Sequence, residues 1–495
     1  MKRIYILFML VILLSVPMAP LRGQAVTLTP GEAIARARTS SLDAAVALDQ
    51  LRAAYWEHRS YRASLLPEIT FKGTLPSYHK QYSPYMNQDG EYSFVANHYM
   101  QLSGEISVTQ SIWPTGGTLG LTTSLDYLRQ FSGQPYNRFM SIPVALTLSQ
   151  PIFGVNHTKW NRRIEPTRYR EAQAEFLSAT EDVAITAIQL YFSMLMDREN
   201  LSIARENLSH AERLHAVAIE KRDMGQISKN DLLQMELNLL DAQSALTDCE
   251  SALRTSTFRL QTFLDLEDSG ELLPEVPDML PNVEIPFGEA YDKALANNKL
   301  ALSMARRRME ADYAVAQAKG DRRSINLYAQ VGFTGSAHTV GGAYNPLKDN
   351  QLIEIGFEIP LLDWGRREGK VKVAESARDV TATGLRQEAQ TFRQDLYVIV
   401  ERYANQQRQL EIAARADTIS ARRYATNVET FMTGRISTLN LNDSRSQKDE
   451  ARRAFINELY LFWLYYYQIR SLTLWDFASG TPIEADMEKM IKFAK

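Results

Sequence analysis

Ser149-Gln150-Pro151-Ile152-Phe153-Gly154 is answered later in the chain by Glu358-Ile359-Pro360-Leu361-Leu362-Asp363-Trp364-Gly365. A glycine motif follows each: Gly225-Gln226-Ile227-Ser228 and Gly434-Arg435-Ile436-Ser437. The two prolines lie 209 residues apart, and so do the two glycines, so each proline precedes its glycine by 74. A repeat that keeps its spacing while its sequence drifts is holding a length, here that of a long rod. Solenoid units run about 20–50 residues. A period of 209 residues therefore marks two copies of a half-molecule.

The halves share a layout. Pro30-Gly31-Glu32-Ala33 opens a helix expected over 30–66, and Phe287-Gly288-Glu289-Ala290 opens one over 287–323. Each leads into a β-region, 67–151 and 324–360. Period-2 alternation marks six strands, around Ile69/Phe71, Leu102–Ile112, Leu119–Tyr127, Ile142–Leu148, Leu327–Phe333 and Ile353–Ile359. Strands of 9–11 residues suit a tilted membrane span. The same alternation suits a soluble sandwich with one wet face. The first half carries about 48 extra residues here, the difference between the 257-residue offset of the opening helices and the 209-residue offset of later elements. The surplus is assigned to a hairpin around Trp113-Pro114-Thr115-Gly116-Gly117, and Tyr78 to Tyr99 reads as an aromatic loop.

Long helices follow, over 158–224 and 366–432, each about 100 Å long. After the glycine tips, 225–228 and 433–437, return helices run over 229–266 and 438–477. Leu232, Leu239, Leu246, Leu253 and Leu260 recur every seven residues, with Met235, Ala242, Cys249, Ser256 and Phe263 in the partner column. That is a coiled-coil seam. The first repeat thus spans 26–273 and the second 287–477. Between them lies a proline-rich linker, 274–286, and a polar tail occupies 478–495.

Residues 1–25 read as a signal peptide: Lys2 and Arg3, an apolar run from Ile4 to Val16, then Gly23-Gln24-Ala25 as a cleavage site. That run is shorter than the roughly 20 residues a spanning helix needs. No other stretch of eighteen apolar residues occurs, so a membrane-embedded form must be a β-barrel. Fifty-five basic against 58 acidic residues give a formal charge of −3, which offers nucleic acid nothing. The single cysteine, Cys249, excludes an intramolecular disulfide and sits in the seam as a small core residue.

No catalytic or metal site emerges, and no cofactor is expected. Glu212-Arg213-Leu214-His215 has the Glu-x-x-His spacing of di-iron bundles, but a second such unit is missing. The basic runs Lys159-Trp160-Asn161-Arg162-Arg163 and Arg366-Arg367 stand where strand gives way to helix. They suit either acidic head groups or a solvated helix start.

Together these elements resemble the TolC family of outer-membrane efflux proteins over the whole mature chain. Gln150-Pro151-Ile152-Phe153, Pro360-Leu361-Leu362-Asp363-Trp364-Gly365-Arg366 and the two tips carry the resemblance. It implies an α+β fold: a trimeric outer-membrane β-barrel continued by a long α-helical coiled-coil barrel, with two structural repeats per chain. It implies a homotrimer in outer-membrane lipid, with helices reaching into the periplasm. The tips at Gly225, Gln226, Ile227 and Ser228 and at Gly434, Arg435, Ile436 and Ser437 would meet a periplasmic adaptor protein, coupled to an inner-membrane pump. The expected function is a passive exit duct for efflux or type I secretion. A non-channel periplasmic coiled-coil adaptor or scaffold is the alternative. The family places four strands in the barrel per chain, against six candidates here. In the family, carboxylates six and nine residues beyond the second tip glycine line the gate. Those positions are Asn440 and Asp443, and their first-half equivalents are Asp231 and Gln234. Asn440 departs from the pattern. So does Ile436, which stands where the family has arginine, with Arg435 one place earlier.

Overall fold

Thr29 starts the first helix through a reciprocal cap: its hydroxyl accepts from the Glu32 amide, and the Glu32 carboxylate accepts from the Thr29 amide at 2.9 Å. Helix α1 then runs Pro30–Ser40 and buries Ala33, Ile34 and Ala37. The computed structural model describes residues 26–86, 89–133, 135–266, 272–277, 283–322, 324–358, 362–432, 435–436 and 438–493. The predicted signal segment, Ile359-Pro360-Leu361, Thr433, Gly434, Ser437 and the middle of the predicted linker lie outside the described residues.

The predicted single helix over 30–66 is two helices, and so is that over 287–323. Helix α2 occupies Leu42–Ser64, beyond a break at Ser41. In the second half α5 (Phe287–Asn297) and α6 (Lys299–Gly320) break at Asn298. Both break residues are extended, both are buried, and they stand 257 residues apart. The Ser41 hydroxyl accepts from the Ala44 amide at 3.2 Å, and Asn298 Nδ2 donates to the Leu472 carbonyl at 2.7 Å. Short polar side chains that bond nearby backbone favour caps over helix interiors. The apolar periodicity runs on across each break, which hides it in the sequence.

Helices α3 (His157–Asp223) and α4 (Lys229–Phe263) belong to the first half, and α7 (Arg366–Met432) and α8 (Thr438–Thr473) to the second. The chain forms two compact units. The first takes Met1–Gln50, Ala174–Asn298 and Phe392–Lys495. Its core joins Ile188, Tyr191 and Leu195 of α3, Leu260 of α4, Leu396, Tyr403 and Leu410 of α7, and Ile456, Leu459 and Phe462 of α8. Strand β1 (Val26–Leu28) pairs in parallel with β6 (Leu272–Pro274), and the buried Tyr191 hydroxyl donates to the Leu28 and Glu275 carbonyls beside them. The residues after α8 are not only a polar tail: β9 (Trp475–Asp476) pairs with β10 (Thr481–Pro482), and α9 (Met487–Phe493) follows.

The second unit takes Leu51–Gln173 and Lys299–Thr391. It holds one antiparallel sheet of six strands: β2 (Glu68–Met86), β3 (Tyr92–Ile112), β4 (Gly117–Gln130), β5 (Tyr136–Pro151), β7 (Ser324–Ala337) and β8 (Lys348–Glu358), paired in that order. The expected loop from Tyr78 to Tyr99 is instead the outer part of the β2–β3 hairpin, in register from Tyr78↔Met100 to Met86↔Tyr92. Its aromatics are strand formers. The hairpin expected around Trp113 is β3–β4. It turns through 113–116, where the Gly116 amide bonds the Ile112 carbonyl at 2.8 Å.

The two proline motifs hand strand over to helix. Asn156 Oδ1 accepts from the Lys159 amide at 2.9 Å, capping α3. Asp363 accepts from the Gly365 and Arg367 amides at 3.0 and 3.1 Å, capping α7. Those bonds hold the Asp363 carboxyl below the ordinary range, the Arg367 amide contributing most. Trp364 and Gly365 both take left-handed backbone here, which accounts for the glycine.

Candidate functional site

The sheet has two unlike faces. Cross-strand partners Ile69, Val108, Leu121, Leu146 and Val331 form one row, ending at Gln351. The neighbouring row, on the opposite face, reads Thr70, Ser107, Thr122, Ala145, Gly332 and Asn350. On the apolar face Ile69 and Phe71 are each 73% exposed, and Ile353 is 74% exposed. The side chains are far too apolar for a wet surface, and they form a contiguous patch. Strands β2 and β8 are the two edges of this sheet.

The first tip is a pair of caps. The Gln226 amide reaches back to the Lys221 carbonyl at 2.8 Å and the Gly225 amide to the Arg222 carbonyl at 2.9 Å. That is a Schellman turn, with Gly225 at φ +71° in the left-handed position. Ser228 then caps α4, its hydroxyl accepting from the Asp231 amide at 3.1 Å while Asp231 accepts from the Ser228 amide and hydroxyl at 3.0 and 2.8 Å. The hydroxyl bond first, then the amide bond, draws the Asp231 carboxyl below its ordinary range. Asp231 is thus engaged as a helix cap, and Gln234 donates to Asn238 on its own helix at 3.2 Å. Ile227 is half-buried. At the second tip the Arg435 amide bonds the Thr430 carbonyl at 3.1 Å. That repeats the 226-to-221 bond at an offset of 209. Arg435 is exposed and Ile436 half-buried.

Asp443 is a bridge between α7 and α8. Arg423 Nη2 donates to its Oδ2 at 3.1 Å, and Gln447 Nε2 sits 3.1 Å from both carboxylate oxygens. Arg423 Nη1 also donates to Gln447 Oε1. Asn440 is exposed one turn closer to the tip. Sequence reasoning missed Arg423. A signal existed: Arg423 stands 11 residues before Gly434 and Asp443 nine after it, and residues at matching distances from a tip face each other across a helical hairpin.

Further along the same unit, Glu181 is 1% exposed and accepts from Arg38 of α1 and, at 3.0 Å, from Arg470 Nε of α8. Arg470 also pairs with Asp476 at 2.7 Å, and Asp476 accepts from the Tyr466 hydroxyl at 2.5 Å. Burial alone would push the Arg470 guanidinium down, but Glu181 and Asp476 hold it above its ordinary value. Among the described residues no group of His, Cys, Asp and Glu is arranged to hold a metal ion, and no helix is long and apolar enough to cross a membrane.

Residues 33–264 match the outer membrane efflux protein family. The fold resembles the outer membrane channel CmeC of Campylobacter jejuni, with TM-score 0.66 and 17% identity over 94% of this chain and 88% of that one. It also resembles the outer membrane protein VceC of Vibrio cholerae, with TM-score 0.62 and 13% identity over 92% of this chain and 97% of that one. The open state of the MtrE outer membrane channel of Neisseria gonorrhoeae gives TM-score 0.56 and 13% identity over 92% and 90%. A comparison with curated proteins gives no match.

Proposed function

We infer that this chain, which belongs to the outer membrane efflux protein family, is a passive exit duct in the outer membrane, fed by an inner-membrane pump through a periplasmic adaptor. The family is one of transport channels, not of enzymes. The observation that carries the inference is the open sheet: apolar on one face, polar on the other, with edges at β2 and β8. A sheet edge in lipid is prohibitive, because its amides and carbonyls find no water. A second copy supplies the missing partner strand, and three copies close a barrel whose polar face lines the lumen.

The helices call for the same neighbours. Leu232, Leu239, Leu246 and Leu253 are partly covered within the chain, whereas Leu233, Leu237 and Leu240 form a second, exposed stripe on α4. Leucines spaced four and three apart share one helix face. We assign that stripe to an adjacent subunit of a homotrimer. The tips around Gly225 to Ser228 and Gly434 to Ser437 are assigned to the adaptor. Asp443, with Asn440 beside it, is assigned to a charged ring at the periplasmic gate, and Arg423 is its counter-charge.

Cysteines at Gln226 and Arg435, in a Cys249→Ser background, test the assignment. Cross-links from these positions to a co-purified adaptor are expected. Cross-links only from the β-region, for instance from Thr115, would invert the orientation, and a detergent-free soluble monomer would end the duct reading altogether.

A further inference from the structure

We propose that all six strands of each chain stand in the lipid-embedded wall, so that three copies build a barrel of 18 strands. The inference rests on the trimeric barrel above and departs from the four-strand contribution that the resemblance implies. Topology is the first ground. Strand β2 joins the sheet only through β3, and β3 reaches β5 only through β4. A wall of four strands that omitted the β3–β4 hairpin would therefore lose the bond between β2 and the rest, and one that omitted β2–β3 would leave the exposed side chains of Ile69, Phe71 and Ile106 facing water. The register runs without a gap: 14 pairs join β3 to β4, from Tyr99↔Gln130 to Ile112↔Gly117.

Surface chemistry is the second ground. A hairpin projecting into water has no use for one apolar face. Yet Leu102, Ile106, Val108 and Ile112 of β3, and Leu119, Leu121, Leu125 and Tyr127 of β4, lie on the same face as Ile69, Leu146 and Val331. The opposite face carries Ser103, Glu105, Ser107 and Thr109 on β3, and Thr118, Thr122, Ser124 and Asp126 on β4. Both faces thus continue across the β3–β4 hairpin with no change of sign. Leu102 to Ile112 spans about 34 Å along the strand. A tilt of about 40° brings that to roughly 26 Å, close to the height of an outer-membrane apolar band. The occupant of this face is lipid hydrocarbon. Barrel diameter grows roughly linearly with strand number, and 16–18 strands leave an open aqueous channel where eight are filled by side chains. The membrane end of this duct is accordingly about half again as wide as one built from four strands per chain.

Spin labels on single cysteines in a Cys249→Ser background, reconstituted into lipid vesicles, read the environment directly. Oxygen concentrates in lipid and a nickel chelate in water. Val108→Cys and Leu121→Cys are expected to report lipid, with an oxygen-to-nickel accessibility ratio several-fold above that of Ser107→Cys and Thr122→Cys. Leu146→Cys and Val331→Cys should match the lipid-facing pair. If Val108 and Leu121 report water while Leu146 and Val331 report lipid, the hairpin stands outside the wall and the 18-strand barrel is wrong. If all four apolar-face positions report water, the membrane-embedded barrel itself fails, and this inference with it.

Discussion

Gly225 shows how much of a duct can hang on one residue. Its φ of +71° closes the Schellman turn, and a Cβ there would meet nothing within 4 Å. Gly225→Ala is therefore a test of backbone conformation alone, and the left-handed region costs an L-residue about 1–2 kcal/mol. Hydrogen exchange at the flanking amides should accelerate accordingly; unchanged protection would mean the tip does not depend on the turn. Asp443 carries the other prediction at this scale. As a lumen ring, Asp443→Ala reduces cation preference and Asp443→Lys shifts selectivity toward anions. Unchanged selectivity in both would remove Asp443 from the gate, and Arg423→Ala separates the charge of the ring from its tether. The turn at Gly225 was legible from its spacing. The Arg423–Asp443 pair leaves no periodic trace, and only the matched distances of its members from position 434 point to it.

The elements were legible in proportion to how regularly they repeat. Six strands and four long helices announce themselves by alternation and by heptads. The breaks at Ser41 and Asn298 escape because each turns on one polar residue, Ser41 bonding the Ala44 amide and Asn298 the remote Leu472 carbonyl, while the apolar stripe passes over them. The aromatic ribbon from Tyr78 to Tyr99 passed for a loop because aromatics crowded among polar residues mask a period of two. The Glu181 network escaped altogether, since Arg38, Glu181 and Arg470 are remote in sequence. It joins α1, α3 and α8, and Glu181→Ala leaves two largely covered guanidinium groups without their shared carboxylate. Breaking one side of a buried pair costs about 3–5 kcal/mol. A fall in melting temperature is expected, and a melting temperature unchanged from the wild type would show the network to be incidental. His210 adds a pH dependence. Burial, then Arg213 and Arg445, hold its pKa below the ordinary value, and its Nε2 lies 3.1 Å from the Tyr424 hydroxyl. The folded state thus favours the neutral ring. As pH falls below about 6.5 the unfolded chain takes up the proton first, so stability declines until the folded-state pKa is passed. The loss between neutral pH and pH 5.5 should shrink in His210→Gln; an identical pH profile would discharge His210.

At the scale of the whole molecule, the chain exposes several surfaces that the proposed trimer in lipid would cover. The apolar sheet face, the two sheet edges and the second leucine stripe on α4 point the same way. Six strands fall short of the eight that the smallest outer-membrane barrels use, and pooling strands from several chains would satisfy every edge at once. The family resemblance was legible because the matched spacings of 209 residues survive sequence drift. The strand order in the sheet was not, because alternation locates strands without saying which neighbours they keep. The purified protein should require detergent and sediment as a trimer; a monodisperse monomer in detergent would leave the sheet edges unexplained. The decisive measurement is electrical. Protein added to a planar lipid bilayer should produce discrete conductance steps, with ion preference altered by Asp443→Lys. A trimer that inserts into the bilayer yet passes no current, with or without that substitution, would contradict an exit duct.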